Sequence, residues 1–315
     1  MFHILKILEV RSRWMNNTSV FGLPSSSVLL NFFTNLLFGF EILDEITIFA
    51  RNLVKEMSEI IIKTPEQIDG IRKSCQLAAQ TLDFAGQFVK AGISTGFIDD
   101  KIEKFIISHG AIPATKGYNG YPKSSCISLN EIVCHGIPSE KTILKEGDIL
   151  NIDVTTILNG YFGDTSCMFT VGEISPVAEN LIEVTKHCLD LGIQQVIPGN
   201  YFGNIGFAIN RFAKAKGFSV VYEFCGHGVG IHFHEEPQVD HAARRNTGPK
   251  MKPGMIFTIE PMINQGRAGT KVDKHDGWTA RSVDNKLSAQ FEHTILVTET
   301  GFEVLTDINN EYPVT

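Results

Sequence analysis

From about residue 64 onward the chain alternates between two hydrophobic periods. In KTPEQIDGIRKSCQLAAQTLDFAGQFVKAG, Ile68, Ile71, Cys75, Ala78, Leu82, Ala85 and Val89 recur every three or four residues, the stripe of an amphipathic helix. Thr64 and Gln67 make a capping-box pair and Pro65 suits the first helical position, so the helix is predicted to start there and end near Gly92. A second helix is predicted over 95–109, then strands near 125–129, 148–157 and 161–171. The order then repeats. VKAGISTGFI (89–98) and VIPGNYFGNI (196–205) share a valine, two glycines and an isoleucine at an offset of 107 residues. At the same offset Gly110 matches Gly217, and KEGDILNID (145–153) matches KPGMIFTIE (252–260). Such recurrence predicts a duplicated helix-helix-sheet unit, hence an α+β domain of two pseudo-twofold halves. Acidic residues are expected to meet where the halves join.

Asp153 and Asp164 lie in ILNIDVTTILNGYFGDTSCMFTV, which reads as a β-hairpin because Asn159-Gly160 is a strong two-residue turn signal. That turn pairs residues whose numbers sum to 319, placing Asp153 opposite Ser166 and Asp164 opposite Thr155 on one face. The two acids are then diagonal neighbours, ~7 to 8 Å apart by backbone, and can reach one metal centre. Glu260 recurs at the repeat offset of Asp153, and Glu292 sits in the apolar strand SAQFEHTILV. Burying such acids without a positive partner is costly. Segments 148–170, 253–265 and 287–299 hold no Lys or Arg, so a metal ion is the expected partner, with solvated or singly protonated acids as the alternative.

The stretch YEFCGHGVGIHFHEEP (222–237) concentrates His227, His232, His234, Glu235 and Glu236. It is not a zincin helix. Pro237 falls inside the would-be H-E-x-x-H turn and no histidine stands at 238. It reads as a loop entering an extended segment, in which His232 and His234 share one face and Phe233 takes the other.

Composition adds boundaries. A net charge of -7 and a pI near 5.8 argue against binding nucleic acid over the whole surface. Only HAARRNTGPKMK (241–252) is locally basic, a solvated loop or a weak contact with an anionic partner. Six cysteines without a C-x-x-C pair read as free thiols in a reducing cytosol. The apolar run at 28–40 is interrupted by two asparagines and is too short for a span of ~20 residues.

NEIVCHGIP, NIDV, GDTS, CGHGVG, FHEEPQV, TIEPM and SAQFEHT occur in order between about 58 and 306, where the chain closely resembles type I methionine aminopeptidases. The resemblance implies the pita-bread fold around a dinuclear metal site, with Asp153, Asp164, His227, Glu260 and Glu292 as ligands of two divalent ions (Co²⁺, Mn²⁺, Fe²⁺ or Zn²⁺). It implies removal of the initiator methionine from nascent polypeptides, favoured by a small, uncharged second residue. His135 and His234 would hydrogen-bond the scissile amide, Glu260 would shuttle protons, and Tyr118, Tyr121, Cys126, Phe233 and Trp278 would line the methionine pocket. His232, Glu235 and Glu236 match no catalytic role and read as supporting. Two departures concern substrate preference: Asn119 stands where many bacterial relatives have histidine, and Thr115 where a small thiol is expected.

An adaptor that has lost catalysis is disfavoured because all five ligand positions and both histidines are retained. A proline-specific peptidase would bring a folded N-terminal domain, for which residues 1–56 are too short and irregular. The catalytic domain is expected over 57–315, in a cytoplasmic monomer. Met57 is read as the translational start; the alternative makes 1–56 a genuine extension, an organellar address or docking helix.

Overall fold

Helix α1 (Pro65–Gly86) begins where its cap demands: the Gln67 N–H donates to Thr64 Oγ1, and the Thr64 N–H to Gln67 Oε1. The computed structural model describes residues 59–315; segment 1–56, with the start-site question, lies outside the described residues. The helix stops short of Gly92. Gln87, Phe88 and Val89 donate to carbonyls only three residues back, tightening the last turns, and Gly92 reverses the chain at φ 88°. Ile71, Cys75, Ala78, Leu82 and Ala85 are buried, as the stripe predicts. Helix α2 (Thr95–Ser108) is capped by Ser94.

The predicted hairpin forms with strands Ile149–Leu158 and Tyr161–Thr170, joined by Asn159 and Gly160 at φ 53° and 85°. Both central residues sit in the left-handed region, as the tightest hairpin turn requires. Cys126–Leu129 and Ile112–Pro113 pair along the other edge of Ile149–Leu158. The hairpin packs closely against α1, where Gly163 meets the backbone of Ser74 and Cys75.

The second half repeats this plan around α3 (Pro176–Ile193) and α4 (Gly203–Ala215). The repeat extends to individual hydrogen bonds. Ile112 pairs with Ile157, and 107 residues on Ser219 pairs with Asn264. Gly92 N–H donates to Leu144 O, and Gly199 N–H to Met251 O; Ala114 N–H donates to Thr155 O, and Val221 N–H to Met262 O. Gly110 and Gly217 both turn the chain at positive φ. Each half has its own core, one around Ile98, Ile102 and Ile152, the other around Leu189, Ile205 and Phe257.

In a five-stranded sheet, Ile256–Ile259 lies between Gly226–Gly228 and His293–Val297, with Glu235–Val239 and Phe302–Val304 at the edges. The halves meet along a polar seam. Glu292 N–H donates to Ser166 O, Thr294 Oγ1 to Asp164 O, and Asn151 Nδ2 to Gln290 O. No helix among the described residues is long and apolar enough to cross a membrane.

Candidate metal centre

The hairpin register places Asp153 opposite Ser166 and Thr155 opposite Asp164. Thr155 Oγ1 donates to Asp164 Oδ1 at 2.8 Å, fixing one carboxylate oxygen. Glu292 reaches the same place because its backbone bridges to Ser166 across the seam. His227 arrives on a short strand beside Ile256–Ile259, its N–H donating to Thr258 Oγ1. That hydroxyl donates in turn to Glu260 Oε1 at 2.8 Å, while Gln290 Nε2 donates to Oε2 at 3.2 Å. Behind Glu260, the buried His241 accepts the Glu260 N–H at Nε2, 3.0 Å away.

Ligand atoms of Asp164, His227 and Glu292 lie within 4.8 Å of one another. His227 Nε2 is 3.7 Å from Asp164 Oδ2 and 3.6 Å from Glu260 Oε1. Burial pushes His227 down to about 4, making the ring neutral. Assigning its proton to Nδ1, 3.0 Å from the Gly228 carbonyl, leaves the Nε2 lone pair facing the acids. Asp153 is the most exposed of the four acids, and its carboxyl shares the hairpin face with Asp164. Among the described residues no Lys or Arg pairs with any of the four.

Burial raises all four carboxyls, Asp164 to about 7 and Asp153, Glu260 and Glu292 well above their ordinary range. The charge of Asp164 adds to the rise at the other three. Four buried acids and one neutral imidazole, with no cationic side chain between them, are a donor set that fits hard or borderline divalent ions. Free cysteines contribute no thiolate: Cys126 is buried beside Tyr121, and burial raises its pKa.

Aromatic side chains extend from this cluster. The His234 ring lies 4.1 Å from that of His227, 4.4 Å from Phe233 and 5.2 Å from Tyr118. Tyr118 opens a turn that ends at Tyr121, whose ring meets Trp278 edge-on at 5.2 Å. Trp278 in turn stands 5.9 Å from His135. His135 adopts φ 56°, an uncommon conformation for a non-glycine residue and one that clusters at functional sites.

The expected alternation of His232, Phe233 and His234 does not occur. The strand starts only at Glu235, and residues 229–234 bend, with Gly230 N–H donating to His232 O. Phe233 and His234 therefore stack on each other, and His232 points to solvent. Asn119 sits at φ 46° between Gly117 and Gly120, a conformation asparagine tolerates well. Thr115 Oγ1 donates to Ser124 O. Sequence reasoning does not single out Phe224, whose ring meets that of His135 edge-on at 5.4 Å, nor Thr258, Gln290, His241 or Asp276. Thr258 had a local signal, standing two residues before Glu260 in an apolar strand. Gln290 had the same signal, two residues before Glu292; Asp276 caps the loop that presents Trp278 by accepting the Trp278 and Thr279 N–H groups, and His241 reaches Glu260 from a separate segment.

Residues 69–299 match the family described as Metallopeptidase family M24. The chain is 52% identical over 247 residues to methionine aminopeptidase A of Synechocystis sp., covering 78% of this chain and 97% of the relative. It is 51% identical over 248 residues to the methionine aminopeptidase of Escherichia coli, covering 78% and 94%. This chain belongs to the methionine aminopeptidases of family M24. The solved methionine aminopeptidase of Rickettsia prowazekii superposes with a TM-score of 0.78 at 48% identity, covering 79% of this chain and 100% of that one. A prolidase from Pyrococcus furiosus, 22% identical with a TM-score of 0.66, covers 82% of this chain and 68% of its own and shares the fold alone. The chain is thus a hydrolase with the pita-bread fold that its family resemblance implies.

Proposed function

We propose that this enzyme removes the initiator methionine from nascent polypeptides, with preference for a small, uncharged second residue. The observation that carries the reading is the position of His227 Nε2, 3.6 to 3.7 Å from two carboxylates that no cationic side chain neutralises. Asp153, Asp164, His227, Glu260 and Glu292 would hold two divalent ions, Co²⁺, Mn²⁺, Fe²⁺ or Zn²⁺. Such ions supply Lewis acidity, lowering the pKa of water and drawing electron density from the scissile carbonyl.

The chain's own groups supply the rest. Glu260 takes the proton of the attacking water and delivers it to the leaving amine, its carboxylate aimed by Thr258 and Gln290. His135 and His234 donate to the scissile amide and to the negative charge that develops on its oxygen. Tyr118, Tyr121, Cys126, Phe233 and Trp278 take the methionine side chain. Tyr121 is well suited to a fixed wall, since its one O–H proton is shared between the carbonyls of Ser125 at 3.1 Å and Gly136 at 3.0 Å.

Nascent chain N-termini are the proposed partners of a cytoplasmic monomer. Arg244, Arg245, Lys250 and Lys252 are exposed, which supports a weak contact of segment 241–252 with the ribosome. The catalytic domain is assigned to 57–315. Peptides Met-Xaa-Ser with Xaa varied test the specificity: release before Gly, Ala and Ser is expected, and equal release before Arg or Phe would contradict it.

A further inference from the structure

Lys63 is wholly buried, its side chain 0% exposed, and its partner Glu235 is 4% exposed. Neither has a place in the reaction described above. Lys63 Nζ donates to Glu235 Oε2 at 2.7 Å, and the other oxygen, Oε1, accepts the N–H groups of Ile231 at 2.8 Å and His232 at 3.2 Å. The Lys63 backbone N–H is bonded to Gly254 O, so the lysine is itself anchored to the turn that leads into strand Ile256–Ile259.

We propose that Lys63 is a positioning residue: through Glu235 it fixes the bend at 229–234 that presents Phe233 and His234. The inference rests on the assignment of His234 to the scissile amide. The bend is not a ladder strand: Val229 N–H donates to Ile256 O and Gly230 O accepts the Phe162 N–H, which fix its start, whereas among the described residues 231–234 have no backbone partner outside the bend. At Gly230 a Cβ would lie 2.4 Å from Ile71 Cδ1, so helix α1 closes that side; at Ile231 and His232 the Glu235 carboxylate holds the backbone. Beyond His232 the His234 ring rests against Tyr118, Phe233 and His227 through ring contacts. After Gly230, the polar hold on the backbone leading to His234 is the Glu235 carboxylate at Ile231 and His232, so the aim of the ring follows it.

A buried ion pair of this kind adds little net stability, because desolvation offsets the attraction, whereas removing one partner leaves an uncompensated charge. In Lys63→Met the orphaned carboxylate must turn toward solvent or take up a proton, and either change loosens its hold on Ile231 and His232. A displacement of ~1 Å at a catalytic donor lowers turnover up to ~100-fold.

The test compares Lys63→Met with the double variant Lys63→Met/Glu235→Gln in the full chain, loaded with Mn²⁺, on a Met-Ala-Ser peptide. The single variant should lose ~10- to 100-fold in kcat with KM changed less than ~3-fold and bound metal unchanged. The double variant has no orphaned charge and keeps an amide oxygen for Ile231 and His232, so kcat should recover most of the loss. Imidazole ¹⁵N resonances of His234 should shift in the single variant and return in the double. Wild-type kcat and resonances in Lys63→Met, or a kcat loss that Glu235→Gln does not relieve, would overturn the proposal. Should Lys63→Met fail to fold, Lys63→Arg carries the same test: it keeps the charge but moves the carboxylate, and unchanged kcat and resonances would overturn the inference. Wild-type turnover of the same peptide reads out the proposed activity separately, while the resonances report the coupling in either case.

Discussion

At the scale of single residues, the site joins groups whose chemistry is plain from type and whose proximity is not. Glu260 stands out in the sequence because it recurs at the repeat offset of Asp153; that Thr258 and Gln290 aim its two oxygens emerges only in three dimensions. A group that moves a proton acts chiefly in the transition state. Glu260→Gln should therefore lower kcat by ~100-fold or more with little change in KM, measured by steady-state peptide hydrolysis. A change confined to KM would assign Glu260 to binding instead. Trp278 meets both Tyr121 and His135, linking the proposed side-chain pocket to the proposed reacting amide. Trp278→Ala should reduce the preference for Met over Leu at the first position by ~10-fold, about the value of one or two buried methylenes. An unchanged ratio would move Trp278 out of the pocket.

At the scale of elements, signals carried within a few residues were legible and those carried between distant segments were not. The capping box of α1 and the Asn159-Gly160 turn are local, and the register they imply is the one observed. The sequence reads 232–234 as extended and the structure bends it, because what shapes the bend comes from elsewhere: Glu235 is local, but Lys63 and Ile71 are not. Close packing of α1 on the hairpin is likewise absent from any local pattern, and it makes a sharp prediction. A Cβ on Gly163 would lie 2.3 Å from Cys75 N and 2.4 Å from the Ser74 carbonyl carbon, backbone atoms that cannot rotate away. Gly163→Ala should cost ~1 to 3 kcal/mol, seen as a lower urea midpoint, and should also weaken metal binding through its neighbour Asp164. Gly110→Ala meets nothing within 4 Å and carries only the strain of φ 74°, about 1 kcal/mol, with metal binding intact. Equal metal affinity in the two variants would show that the hairpin face is not held by α1.

At the scale of the whole molecule, duplication explains why acids gather at the centre: each half contributes its own strand, and the seam between halves brings Asp164 and Glu292 together. The sequence repeat foretold the meeting of halves, while the sheet order that achieves it depends on long-range pairing. Without metal the arrangement is electrostatically unfavourable. The folded pKa of Asp164, about 7, lies above the ~4 of an unfolded carboxyl, and burial raises the other three acids too. Between those values the folded state binds more protons than the unfolded, so metal-free protein should lose stability as pH rises from about 4 to about 7. Divalent metal binds the ionised form and should reverse that slope, raising Tm most near pH 7. A metal-free Tm independent of pH, unmoved by Mn²⁺, would contradict the electrostatic account. The central claim, a metal-dependent methionyl aminopeptidase, meets its most direct test in one assay: release of free amino acids from Met-Ala-Ser and Ala-Pro-Ser by chelator-treated protein, before and after addition of Mn²⁺. The account predicts methionine release from Met-Ala-Ser and no alanine release from Ala-Pro-Ser, and only after metal is restored; release by the metal-free protein, or cleavage before proline in place of methionine release, would contradict it.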